Sequence, residues 1–260
     1  MSRHSLFLIA LSTYCFSYSQ SIVNTEKLFI NNDDGFAVSS ELMGSSIKGN
    51  ADIFLLEYSL NFSYKKANNS FKLLSGGEYI NESKQNISNT LFSQLRYNYN
   101  FSPKSRLFAF AQIQSNAILL LEHRALLGAG FRQNIFELKK DTSRVFKIDI
   151  SAGLMQEEEL LNRTDLPSTE KHYTNYTRSL ISLFGIYELT DVFTIVNTTY
   201  LQQYIKNVSD YRLLNETNLI FAINKWLSMS LDMEYRFDSE APSMLKSSDF
   251  NTNFGFVLSL

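Results

Sequence analysis

Leu227-Ser228-Met229-Ser230-Leu231-Asp232-Met233-Glu234-Tyr235-Arg236-Phe237-Asp238 alternates apolar and polar side chains six times in succession. Successive residues of a β-strand point to opposite faces, whereas a helix repeats every 3.6 residues, so this stretch is a strand with one greasy face and one charged face. The last segment repeats the habit, with Phe250, Phe254, Phe256, Leu258 and Leu260 against Asp249, Asn251, Asn253 and Ser259.

The same period recurs upstream. Phe54, Leu56, Tyr58, Leu60, Phe62 and Tyr64 oppose Glu57, Ser59, Asn61 and Ser63, and Leu91, Leu95, Tyr97, Tyr99 and Phe101 oppose Gln94, Arg96 and Asn98. Phe146, Ile148, Ile150, Ala152 and Leu154 oppose Lys147, Asp149 and Ser151. Alternation alone does not say which face meets water: a soluble sandwich turns the apolar face inward, and a membrane barrel turns it outward. Three features favour the barrel. The alternating runs often reach twelve residues or more, as tilted spanning strands require. The 21 Phe and 14 Tyr gather at segment ends, where an interfacial girdle would lie. Three prolines and ten glycines are few turn-formers for a soluble sandwich of this size.

Outside the strands, the sequence narrows the options by exclusion. No apolar run of 18 residues follows residue 20, so no α-helix here is built to span a bilayer. Charge names no partner: 24 basic and 26 acidic residues are mixed along 260, with no basic face for nucleic acid. The start, Met1 to Gln20, has a basic tip (Arg3, His4), an apolar run from Leu6 to Phe16, and small Ser17 and Ser19, which reads as a signal peptide over 1–19 cleaved before Gln20. A lipid anchor on Cys15 is the rival reading, opposed by the bulky Tyr14. Cys15 is the sole cysteine, so a mature chain would lack disulfides, thiolate metal sites and cysteine nucleophiles.

The expected organisation is a signal peptide (1–19), an N-terminal periplasmic segment (20–35) and an all-β, antiparallel, up-and-down transmembrane barrel (36–260). About twelve strands are predicted: 36–47, 52–64, 70–80, 88–100, 105–115, 119–136, 144–155, 174–188, 192–204, 210–223, 227–238 and 249–260. An even count puts both ends of the barrel on the periplasmic side. Short turns then fall at Phe101–Ser105, Leu189–Asp191 and Asn224–Trp226, and the longest connection, Gln156 to Tyr173, falls outside. The tight Lys48-Gly49-Asn50 link is also placed outside, against that asymmetry.

In order and spacing, Lys48-Gly49-Asn50-Ala51-Asp52, Leu95 to Ser102, Arg106 to Phe110, His123-Arg124, Gly128 to Phe131, Asp210-Tyr211-Arg212, Tyr235 to Ser239 and Pro242 resemble a bacterial family. It is a domain-of-unknown-function family of salt-induced outer membrane proteins, and the likeness runs from about residue 44 to the end. The resemblance implies an outer-membrane β-barrel, outer-membrane lipid as surroundings and the barrel assembly machinery as a partner in biogenesis. It implies no activity. Leu260 departs from the terminal aromatic that such barrels usually carry.

The polar faces carry Glu57, Arg96, Arg124, Arg132, Arg178, Glu216, Asp232, Glu234 and Arg236, which a barrel would turn into its lumen. They would either line a solute pathway or pair off and plug it. In an open pore, Arg124→Ala and Arg236→Ala are both expected to alter conductance. Gly128 and Gly130 share the Arg124 and Arg132 face, making room for bulky lumen neighbours or for a ligand. Glu157, Glu158, Glu159 and Asp165 fall in the long loop and read as solvated carboxylates, with a divalent cation as the alternative.

No cofactor and no catalytic group is assigned. Barrel acyl hydrolases place a serine two residues from a histidine on one strand, but His123 is followed by Arg124-Ala125 and His172 by Tyr173-Thr174. The function expected is a narrow channel or structural envelope component of the cell outer membrane, its solute unspecified. The alternatives are a barrel lipid hydrolase or protease, signalled by a His172, Asp165 and Glu159 cluster, and a soluble secreted barrel or sandwich that binds a ligand.

Overall fold

The computed structural model describes residues 34–47, 53–82, 85–117, 119–141, 144–162, 164 and 166–259. The expected signal peptide, most of the N-terminal segment, the Lys48-Gly49-Asn50 link and Leu260 lie outside them. Every regular element among the described residues is a strand: β1 (Gly35–Ile47), β2 (Ile53–Lys66), β3 (Asn69–Glu82), β4 (Gln85–Ser102), β5 (Ser105–Asn116), β6 (Leu121–Asp141), β7 (Arg144–Leu161), β8 (Tyr173–Thr190), β9 (Phe193–Tyr204), β10 (Tyr211–Ala222), β11 (Leu227–Asp238) and β12 (Ser248–Ser259). All twelve segments expected from alternation are present.

Each strand pairs antiparallel with its sequence neighbours, and β12 closes the sheet on β1. Closure removes the sheet edge, which is what lets strands cross a layer with no water to satisfy backbone groups. The closing seam is the shortest ladder, with five residue pairs from Ser39↔Ser259 to Met43↔Gly255, against thirteen between β1 and β2.

One end of the barrel holds both strand termini and tight connections at Ala67-Asn68, Pro103-Lys104, Asp191-Val192 and Ile223 to Trp226. Ala67 takes a positive φ of 51° to make its two-residue turn. At the opposite, loop end, residues 162–172, 205–210 and 239–247 connect the strands. The loops there touch one another. The Ser243 amide donates to Glu170 Oε1 at 3.1 Å and the Tyr211 amide to Ser239 Oγ at 2.8 Å, while Leu166 packs on Leu119, Leu121 and Leu161.

The apolar rows face outward. Leu60, Leu73, Leu95, Leu127, Leu154 and Ile181 are exposed, Leu95 by 55% in mid-strand, whereas Arg96 beside it is 5% exposed. A soluble sandwich would show the reverse, so burial decides what periodicity left open. Around the turn end the outward rings pair into a girdle: Phe36 with Tyr64 (4.7 Å), Phe71 with Tyr97 (5.0 Å), Phe101 with Phe131 (5.9 Å), Phe136 with Phe146 (5.4 Å) and Phe193 with Phe221 (4.4 Å). Such rings suit the boundary between hydrocarbon and headgroups.

The expected end of β7 needs correction. β7 runs on to Leu161, six residues past the expected end, and the long loop shrinks accordingly. Glu157 and Glu159 are therefore strand residues with 0% and 3% exposure, not solvated loop carboxylates. Acidic composition suggested a loop, but the inward parity of Asp149, Ser151, Gly153 and Met155 continues straight through them.

Candidate functional site: a lumen with two unlike walls

Arg96, Arg124, Arg132, Arg178, Glu216 and Asp232 are buried, and Glu57, Glu216, Asp232, Glu234 and Arg236 line one cavity, so that the charges fall into neighbourhoods of different chemistry. The first occupies the loop end of β6 to β11. Register brings Arg124 opposite Glu159 and Arg212 opposite Asp238, while Glu157 and Arg178 lie two residues off register across β7 and β8. Arg178 Nε donates to Glu157 Oε1 at 2.9 Å and Nη1 to Asp210 Oδ1 at 2.6 Å. Arg212 donates to Asp238 at 2.9 Å, to the second oxygen of Glu157 at 2.8 Å and to Glu159 at 3.3 Å. Arg124 Nε donates to Glu159 Oε2 at 2.8 Å. Glu157 is thus gripped by two guanidiniums, with Arg124 3.6 Å from it as well.

The alternation dictates what lies beneath. Two residues from Arg124, Glu157, Arg178 and Arg212, the inward positions are Leu126, Met155, Leu180 and Leu214, and these close with Phe108, Phe110 and Tyr200 into one apolar cluster. Space for the rings comes from glycine. A Cβ on Gly128 would lie 2.5 Å from the Phe110 ring, and one on Gly130 2.5 Å from that of Phe108. Those glycines therefore seat bulky neighbours, the first of the two readings their position allowed.

Further toward the turn end, Arg132 Nε donates to Asp149 at 2.8 Å and its guanidinium lies 4.6 Å above the Phe184 ring, with Asn134 completing the aspartate's shell at 2.8 Å. Arg96 similarly covers the Phe108 ring at 4.6 Å and donates to Asn98. Ion pairs, apolar rings and ion pairs again fill this side of the barrel in layers.

The second neighbourhood, along β1 to β4 and β10 to β12, is hollow. A cavity of about 160 Å³ opens toward the loop end, lined by Glu41, Glu57, Glu78, Glu216, Asp232 and Glu234 together with one cation, Arg236. A larger cavity of about 550 Å³ lies toward the turn end, where Glu41 and Asp191 are balanced by Lys72 and Lys225. The two share Glu41, Asn61 and Leu74 in their walls.

Here three of the carboxylates accept from neutral donors. Asn253 Nδ2 donates to Glu57 at 2.9 Å, Ser230 Oγ to Glu41 at 3.1 Å and Asn218 Nδ2 to Glu216 at 3.0 Å. Arg236 bonds Glu234 at 2.8 Å. Amides and hydroxyls satisfy an oxygen's lone pairs in this wall, where guanidiniums do so in the first.

The nine charges singled out from alternation did not include Glu157, Glu159, Asp210 and Arg212, and Asp238 stood on the polar face of its strand without being singled out. For the two glutamates the signal was the unbroken parity of β7. For Asp210 there was none, because it precedes a strand and its role depends on how Arg178 reaches it. Of the residues that would signal a hydrolase, Glu159 is engaged by Arg124 and Arg212, and Asp165 lies outside the described residues. Among the described residues, no group of three or more His, Cys, Asp or Glu side chains is placed to hold a metal ion.

A family model described as "Protein of unknown function, DUF481" matches residues 41–260. No curated protein matches the chain. Among solved structures, a NanC porin aligns with a TM-score of 0.51 at 10% identity, over 85% of this chain and 98% of that one. A KdgM porin aligns at 0.48 and 13% identity over 86% and 99%, and LpxR from Salmonella typhimurium at 0.46 and 7% over 86% and 99%. At 10% identity the likeness to the NanC porin is one of fold, a closed antiparallel barrel.

Proposed function

From the premise that this chain belongs to the DUF481 family and is an outer-membrane β-barrel of unassigned activity, we propose that it is a narrow channel rather than an enzyme. Its aqueous path follows the wall of β1 to β4 and β10 to β12, and the β6 to β11 side is closed. The observation that carries the reading is the pair of cavities, one toward each end, meeting at Glu41, Asn61 and Leu74. A barrel of twelve strands is narrower than the water-filled porins of 16 to 18, so filling half of its section leaves a passage for small solutes only.

In this reading the loop end faces outward and the turn end faces the periplasm. Residues 1–19 are a cleaved signal peptide, and insertion by the barrel assembly machinery proceeds with Leu260 in place of a terminal aromatic. The nine inward charges then have separate duties. Glu57, Glu216, Asp232, Glu234 and Arg236 line the passage, whereas Arg124 and Arg178 belong to the plug, and Arg96 and Arg132 brace the wall over phenylalanine rings.

Reconstitution tests it. Protein whose electrophoretic mobility shifts on heating, the mark of a folded barrel, is placed in planar bilayers and in liposomes challenged with solutes of graded size. Small, discrete conductance steps and swelling limited to the smallest solutes are expected. Silent bilayers and unswollen liposomes with folded protein would leave the structural envelope component, the second reading, which the filled half of the lumen favours.

A further inference from the structure

We propose that the cavity toward the turn end binds small neutral polyols, solutes of the size and chemistry of a monosaccharide. Their transport rests on the channel reading, whereas their binding in the cavity stands on its own geometry. Charge is the first property of the lining that points to this class. Two carboxylates, Glu41 and Asp191, share the lining with two ammonium groups, Lys72 and Lys225, so it offers neither an anion nor a cation a field of one sign.

The hydrogen-bonding surface is the second. Asn61 is 6% exposed, its Nδ2 donates to Ser39 and Ser59, and its Oδ1 is buried and accepts no hydrogen bond. Ser63, two residues on along the same face of β2, and Ser228 on β11 line the cavity half-buried, and among the described residues neither hydroxyl has a hydrogen-bond partner. A buried acceptor left unpaired is costly, and a hydroxyl can both give and take a hydrogen bond. A solute with several O–H groups answers all three side chains, whereas a hydrocarbon leaves them unmet.

The third is an apolar wall. Ile220 and Ala222 line the cavity from β10, Leu74 and Val257 join them, and Ile220 is backed by buried Phe184, Ile186 and Val196. A pyranose ring presents C–H groups on its faces and hydroxyls around its edge. Burying one face against these side chains removes apolar surface from water while the edge meets Asn61 and the serines. The volume of about 550 Å³ lies within the range of small-molecule sites, about 300–1,000 Å³. Asn61 also lines the loop-end cavity, so a polyol seated here lies on the passage.

The test is calorimetric titration of the folded protein in mild detergent with four ligands of like ring size. These are glucose, its anionic and cationic counterparts glucuronate and glucosamine, and cyclohexanol, which keeps the apolar ring and one hydroxyl. Saturable binding of glucose is expected, with the other three weaker or absent. Asn61→Leu removes the open acceptor at nearly constant volume and lowers glucose affinity about fivefold, the worth of one neutral hydrogen bond. Heat-shifted mobility verifies folding, and Ser63→Ala carries the same expectation where Asn61→Leu fails to fold. Any of the other three binding as tightly as glucose, no glucose binding by folded protein, or unchanged affinity in both variants overturns the inference. If glucose binds but bilayers and liposomes stay silent, the channel reading fails and the binding site remains. If they conduct and glucose does not bind, the channel stands without the site.

Discussion

The loop-end network on β6 to β11 and the acidic wall of β1 to β4 and β10 to β12 are made of the same residue types, yet they behave oppositely. In the network, Glu157 and Glu159 meet guanidinium nitrogens, and every charge has a countercharge within hydrogen-bond reach. In the acidic wall, Glu41, Glu57 and Glu216 are held by serine and asparagine. Buried charges in contact with opposite charges close space and cancel their field. Where six carboxylates share a lining with one guanidinium, a cavity stays open. The composition of a lumen therefore says less than the partner each charge is given.

Breaking the network should have the largest effect. Glu157→Ala leaves Arg178 and Arg212 without a shared counterion in a dry setting, and removing one partner of a buried pair typically costs about 3–5 kcal/mol. Urea unfolding in lipid or detergent, followed by the heat-mobility shift, should show this loss together with a larger bilayer conductance. Unchanged stability would mean the network is not the plug. Arg124→Ala should act in the same way, by loosening the plug, whereas Arg236→Ala should change ion preference directly because Arg236 lines the cavity.

Outside the lumen, Leu95→Arg puts a cation on the lipid-facing row at mid-strand, where barrel measurements place the cost at about 2–4 kcal/mol. The same unfolding titration reads it, and a neutral result would mean that this face does not meet hydrocarbon. Gly128→Val pushes methyl groups into the Phe110 ring, and overpacking of this kind costs about 1–3 kcal/mol. Near-wild-type stability there would show that the ring can swing away and that the apolar layer is loosely packed.

The smallest stability effect is expected in the other wall. Asp232→Asn keeps the size of the side chain and removes one of the six carboxylates of the cavity lining, so unfolding should move less than in the network variants. Its reversal potential in a KCl gradient should nonetheless shift toward chloride, most visibly in dilute salt, since the Debye length falls from about 30 Å at 0.01 M to about 10 Å at 0.1 M. A large stability loss without a selectivity change would erase the distinction between the walls.

Strand identity was legible because alternation is local: Leu227 to Asp238 declares its two faces with no help from the rest of the chain. Parity along each strand likewise puts its charged residues on one face. Cross-strand position was legible only in part. Gly128 and Gly130 could be placed on the inward face, but that they seat Phe110 and Phe108 depends on the β5 to β6 register. Glu157 and Glu159 were obscured because three consecutive glutamates look like a loop until the strand is seen to continue through them.

By itself, then, the amino-acid order determined the number of strands, their two faces and the set of charges that share one of them, because a period of two is written in neighbouring residues. Which face met lipid, which arginine met which carboxylate, and which side of the lumen stayed open were decided only on closure. Register and shear bring residues such as Arg212 and Glu157, 55 apart in sequence, to within 2.8 Å. A field is cancelled or kept by such distances in space, and no local pattern encodes them.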